Sequence, residues 1–340
     1  MTFDHDWEAW SKRRDFIQSL TMKAAVLHAA GKAPRYETFE DPVAGAGETV
    51  VEVLAASLKQ VDKQIASGSH YASAKVFPSV CGIDGVGKLP SGQRVYFGGT
   101  RPPFGAMAER AVVRTVFSFP VPDGLSDEVA AAIPNPGVSA WLSLTYRGKL
   151  SQGDNLLVLG ATGVTGRLAI QAAKLLGAGR VVAAGRNQES LRKLAALGAD
   201  ASIRLDVPDD ELRQAFQGEI QSGGFQVVLD YLWGKPAQVF FEAITKREFS
   251  PIESETRFVQ VGESAAPTIS LNAATLRSAA LTIMGTAGMP PREVLTSALQ
   301  NVFDHAASGR LRIETERVSL AEVESAWNRD ASGRRIVFVP

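Results

Sequence analysis

Three glycines, Gly160, Gly163 and Gly166, stand three apart in LVLGATGVTGRLAIQAAKLLGAGRVVAAGRN, residues 157–187. The apolar run Leu156–Leu159 before them reads as a strand. After them Ala169, Ala172, Ala173 and Leu176 recur at helical spacing, so the context is strand, tight turn, helix. Bare backbone at such a turn lets an anionic pyrophosphate reach the amides at the helix N-terminus. Gly160, Thr162, Gly163, Val164 and Gly166 are therefore the candidate dinucleotide cradle, and a purely structural glycine turn is the competing reading. The spacing G-x-x-G-x-x-G is less diagnostic than G-x-G-x-x-G.

The next apolar strand closes on Gly185-Arg186-Asn187. A carboxylate there would hold ribose hydroxyls, whereas an arginine would pair with a 2′-phosphate, so Arg186 points to NADPH. Asn187 also reads as the start of the following helix. Later strands end at Asp230-Tyr231-Leu232 and at Val261-Gly262-Glu263. Ligands of such sheets lie beyond the carboxyl ends of the strands, which makes Tyr231, Val261 and Gly262 further candidates.

Two kinds of texture position these residues. From residue 22 to about 120, short β-type runs (KAAVLH, ETVVEVLAAS, QRVYFGG, AERAVV) are separated by glycine and proline turns; this predicts a mostly β, barrel-like domain. From about 136 to 286, helices alternate with the wholly apolar runs NLLVLG, RVVAAG, QVVLDYL, RFVQVG and LTIMGT, as in a doubly wound parallel sheet covered on both faces. The tail from 287 to 340 is expected to return to the first domain. Residues 1–21 form an extension in which Trp10, Ile17 and Leu20 have near-helical spacing.

The chain has 340 residues, enough for two domains. Its 36 Lys and Arg balance its 36 Asp and Glu, so no net field favours nucleic acid or an anionic membrane. No apolar run is long enough to span a bilayer, and no signal-like segment opens the chain. These features predict a soluble, cytoplasmic protein. Cys81 is the single cysteine, which excludes an intrachain disulfide and a site built on several thiolates. His5, His28, His70 and His305 have no metal-like spacing.

Together with PSVCGIDGVG, GQRVYFGG, AERAVV, PNPGVSAW and the ALGAD at 196–200, these motifs resemble the medium-chain dehydrogenase/reductase superfamily, and within it the zinc-free quinone-oxidoreductase branch. The resemblance runs from Met22 to Pro340. It implies an α/β chain in which a GroES-like β-rich catalytic domain (22–135 and 287–340) is combined with a Rossmann dinucleotide-binding domain (136–286), with NADPH in the cleft between them and a homodimer. Zinc-dependent members carry a Cys where this chain reads AASLKQVDKQIASG, and Gly-His-Glu where it reads Gly82-Ile83-Asp84, so the resemblance implies no metal.

The branch often has Asn-Pro where this chain has Lys59-Gln60. Lys59 could polarise a carbonyl oxygen or be a solvated lysine. Lys59, Tyr71 and Asn135 are the candidates for binding substrate oxygen, with water as the other proton source; Asn135 could equally cap a helix. Tyr71-x-x-x-Lys75 and Tyr231-x-x-x-Lys235 imitate a short-chain dehydrogenase motif but lack its helical context. The function expected is NADPH-dependent hydride transfer to a small electrophile, a quinone or an α,β-unsaturated carbonyl. A metal-free NADP-dependent alcohol dehydrogenase and a non-catalytic NADPH-binding protein are the alternatives.

Overall fold

The computed structural model describes residues 21–70, 73, 76–246, 255–286, 288, 290–331 and 333–340; residues 1–20 of the N-terminal extension and Tyr71 lie outside them, while Thr21, the last residue of that extension, already belongs to the first strand. The chain divides into two compact units, residues up to Ala132 together with Glu314–Pro340, and Ile133–Ile313.

The first unit is built from short strands: β1 (Thr21–Leu27), β2 (Arg35–Glu40), β3 (Glu48–Ser57), β4 (Ser79–Val80), β5 (Asp84–Lys88), β6 (Arg94–Gly98), β7 (Arg110–Arg114) and β8 (Ser118–Pro120). In β1, Met22, Ala24 and Val26 pack with Phe104, Ala108 and Val112, while Ala25 and Leu27 join the main core around Val51, Phe97 and Phe338. One strand thus serves two clusters, as strand alternation allows.

The second unit holds β9 (Leu156–Leu159), β10 (Val181–Gly185), β11 (Ala201–Arg204), β12 (Val227–Asp230), β13 (Thr256–Gln260) and β14 (Leu281–Gly285). They form one parallel sheet in the order β11-β10-β9-β12-β13-β14. The central strands are buried throughout, which is why they read as unbroken apolar runs. The order reverses between β9 and β12. The edge strand β11 was not among the expected strands: only Ile203 of Ala201–Arg204 is fully buried, so it shows no such run.

The chain then returns to the first unit as β15 (Thr315–Ser319) and β16 (Arg335–Val339), which extend its larger sheet through β3. The expected boundary at 287 needs correction. The helix Arg292–Ala307 buries Ala298, Leu299, Val302, Phe303 and Ala306. It packs on the helix Pro134–Leu142 so closely that a Cβ on Gly137 would lie 2.8 Å from Val302. Gln171 then exchanges two hydrogen bonds with the backbone of Arg312, at 3.0 and 2.8 Å. The chain therefore leaves the second unit only after Ile313. No described helix is long and apolar enough to cross a membrane.

Candidate active site

The glycine turn is fixed by its neighbours. Gly160 has φ +87°, a conformation open to glycine at little cost, and its amide and that of Ala161 both donate to Ala184 O, at 3.0 and 2.9 Å. A Cβ on Gly166 would meet Gly160 O at 2.5 Å, so the helix Val164–Leu175 sits directly on the turn. Gly163 is different. It is the exposed N-cap of that helix with an ordinary φ of −72°, no side chain caps the helix, and a Cβ there would meet nothing nearer than 3.4 Å. The fold requires the first and third glycines but not the second. The first-turn amides that begin at Val164 have no acceptor within the helix.

At the end of β10, Gly185 is buried and leaves room for Thr162, whose methyl would be 2.7 Å from any Cβ. Arg167 Nε donates to Thr162 O at 3.0 Å and holds the turn from the other side. Arg186 is exposed, with no hydrogen bond or ion pair to any described residue. Asn187 takes its alternative role: its Oδ1 accepts from Ser190 N at 2.8 Å and caps the helix Gln188–Lys193.

The carboxyl ends of β9, β12 and β13 meet. A Cβ on Gly160 would lie 3.1 Å from Leu232 and 3.3 Å from Tyr231, and one on Gly262 would lie 2.9 Å from Tyr231 O. Val261 and Gly262 donate to Asp230 O at 2.8 and 3.1 Å. The structure thus brings the glycine turn together with Tyr231, Val261 and Gly262 where the strand order reverses. The Tyr231 hydroxyl is buried with no partner among the described residues, and burial raises its pKa. Tyr231 precedes the helix Gly234–Ile244, and Lys235 pairs with Asp209, so the Tyr-x-x-x-Lys spacing is not presented on one helix.

Asp230 was not among the candidates. Fully buried, it accepts from Leu232 N at 2.9 Å and from Trp233 N at 3.0 Å. Burial pushes its carboxyl up to about 6 against the pull of those two amides. The sequence signal was a carboxylate ending an otherwise apolar strand.

In the first unit Lys59 is not a solvated lysine. Only 2% of its side chain is exposed; Nζ donates to Ser57 O at 2.7 Å and lies 2.8 Å from Asp84 Oδ1 and 3.2 Å from Asp62 Oδ2. With Ser57 Oγ at 3.3 Å as well, the three ammonium protons face four acceptors, and none is left for a substrate oxygen. Burial lowers the lysine's pKa, but Asp62 and Asp84 together outweigh it and hold the group above its ordinary value. Asp62 also accepts from Lys59 N and Ile83 N, and Tyr96 Oη donates to Asp84 Oδ2 at 3.0 Å. Cys81 is buried nearby, its thiol held protonated by burial and by the charge of Asp62. Asn135 lies half-buried in the first turn of Pro134–Leu142, whose N-cap is Ile133. It does not cap that helix, and its amide makes no hydrogen bond to a described residue.

Residues 164–304 match the family model for zinc-binding dehydrogenases. The matched segment contains none of Lys59, Asp62 and Asp84. The quinone oxidoreductase of Thermus thermophilus, solved also in complex with NADPH, superposes with a TM-score of 0.78 at 26% identity, covering 94% of this chain and 100% of that one. The chain belongs to the medium-chain dehydrogenase/reductase superfamily. Within the superfamily it falls in the quinone-oxidoreductase-like branch. Among curated relatives, a phenolphthiocerol/phthiocerol polyketide synthase of Mycobacterium tuberculosis is 30% identical over 226 residues, 63% of this chain and 10% of that protein. The 2-methylene-furan-3-one reductase of Solanum lycopersicum is 32% identical over 213 residues, 54% of each chain. The chain thus spans a tenth of the first relative and about half of the second.

Proposed function

We propose that this chain is an NADPH-dependent, zinc-independent oxidoreductase that reduces a quinone or an α,β-unsaturated carbonyl. The observation that carries the reading is the uncapped helix start at Gly163, an opening the fold does not need for itself, with the unpartnered Arg186 at the end of the next strand. Open first-turn amides suit a pyrophosphate, and a free guanidinium suits a phosphomonoester. The residues present therefore fit the dinucleotide.

Reduced nicotinamide supplies a hydride when bound. The chain's own residues bind and orient. Gly160, Thr162, Gly163, Val164 and Gly166 seat the diphosphate, with Gly185 and Asn187 bordering the adenosine side. Tyr231, Val261 and Gly262 border the turn at the reversal of strand order, where the Tyr231 hydroxyl has a hydrogen bond to give. The Asn135 amide is free to donate to the oxygen that gains charge, water supplies the proton, and Tyr71 is a second candidate donor. Zinc independence is supported by Lys59, whose ammonium already places a cation between Asp62 and Asp84. A cytoplasmic location and a homodimer complete the reading; the half-exposed edge strand β14 is the feature that supports the homodimer.

The names of the Thermus and tomato proteins support the substrate class. Steady oxidation of NADPH by a panel of quinones and enones is the expected result. Oxidation of alcohols with NADP⁺ but no quinone reduction would replace this reading by an alcohol dehydrogenase, and binding without turnover would leave a passive binder.

A further inference from the structure

Arg204 carries no role in the reading above, yet its register places it beside the same phosphate position. In the parallel ladder of β10 and β11, Arg204 is the partner of Gly185. Partners in a parallel ladder project to the same face, and neighbouring strands run only about 4.8 Å apart. Ile203 and Leu205 belong to the core cluster with Leu212 and Phe216. Arg204 is exposed and turns to the opposite face. That is the face on which Gly185 lacks a side chain, where Thr162 approaches to 2.7 Å and Leu191 to 3.2 Å of the vacant Cβ position.

Arg204 and Thr162 therefore flank Gly185, and Arg186 follows it directly. The Arg204 guanidinium engages Asp206 in an ion pair at 3.2 Å, both side chains half-exposed or more. Pairs of that kind hold weakly and yield to a better partner. A phosphomonoester dianion is such a partner: it offers three acceptor oxygens and close to two charges, and a guanidinium fork matches it bidentately.

We propose that Arg204 is a second specificity-determining residue, which with Arg186 clamps the 2′-phosphate of NADPH from the neighbouring strand while the Thr162 hydroxyl closes the third side. This rests on the NADPH reading above. It gives Arg204 no part in holding NADH, which has a hydroxyl in place of that phosphate.

The test is equilibrium titration of the full chain with NADPH, NADH and 2′,5′-ADP, for the wild type, Arg204→Gln and Arg186→Ala. Arg204→Gln should weaken NADPH and 2′,5′-ADP by about tenfold, as loss of one charge-assisted contact does, and leave NADH within about twofold. Equal weakening of NADPH and NADH would overturn the proposal and make Arg204 a support for the adenine. If the wild type prefers NADPH and Arg186→Ala loses that preference while Arg204→Gln keeps it, this inference alone fails. If the wild type binds NADH as tightly as NADPH, the cofactor reading fails with it. Should Arg204→Gln not fold, Arg204→Lys keeps the charge and loses the fork; about a threefold loss for NADPH alone is then expected, and an unchanged affinity would overturn the assignment.

Discussion

The glycine turn at 160–166 and the charge cluster at Lys59 handle polar groups in opposite ways. Around Lys59 each buried charge has its partner within the chain: the ammonium faces Ser57, Asp62 and Asp84, and Tyr96 takes a remaining oxygen of Asp84. At the turn, the helix Val164–Leu175 starts without a cap, and Arg186 beyond the next strand has no described partner. In the sequence Lys59 is a candidate because it stands where the resembled branch often has Asn-Pro, with a solvated lysine as the other reading. The open turn is where a ligand has something to do. Residue type alone did not separate them; satisfaction of hydrogen bonds and charges does.

The sharpest way to break this contrast is to empty the closed cluster. Lys59→Met leaves Asp62 and Asp84 buried without the ammonium they contact, with only the field of the buried Arg335 guanidinium to offset their charge, and should cost about 3–5 kcal/mol of stability, since a buried charge that loses its contact partner is far worse than a lost surface pair. Urea unfolding measures it. A loss below about 1 kcal/mol would mean that the cluster is wetter and looser than described.

Asp230 offers an intermediate case, a buried carboxylate held by two amides and no cation. Its folded pKa of about 6 lies above the usual 3.8, so between those values the folded state binds the proton more readily than the unfolded state. Its contribution to stability is therefore greatest at low pH and falls as pH rises toward 6, by about 2–3 kcal/mol in all. Asp230→Asn removes that slope. The variant should gain about that much relative to the wild type between pH 4 and 7, read as a difference of unfolding curves, and a constant difference would contradict it.

The glycines sharpen the comparison within one turn. Gly166→Ala drives a methyl against Gly160 O and should cost about 1–3 kcal/mol by overpacking, with binding lost alongside. Gly163→Ala should change stability by less than about 1 kcal/mol, because its backbone suits any residue. It should nevertheless weaken NADPH at least about tenfold by blocking the approach to the amides. Unfolding and titration of the two variants side by side separate fold from site.

The sequence carried the open site better than the closed one. Gly160, Gly163 and Gly166 lie in one local segment, and the buried central strands advertise themselves as apolar runs. Arg186 could be placed because a strand end is a local feature. Lys59 was misread because Asp84 comes from a different strand, and nothing along the chain announces that the two meet. β11 escaped because an edge strand has one polar face. The helix Arg292–Ala307 was given to the wrong unit because an amphipathic pattern shows which face is apolar, not which surface covers it. Arg204 became legible only through its register with Gly185.

The account stands most directly on one titration, of the wild type and Arg186→Ala with NADPH and with NADH. It predicts that the wild type prefers NADPH and that the variant loses about tenfold or more for NADPH while NADH is unchanged, the loss of a guanidinium–phosphate contact. Equal affinity of the wild type for both nucleotides, or an unaltered NADPH affinity in the variant, would contradict it.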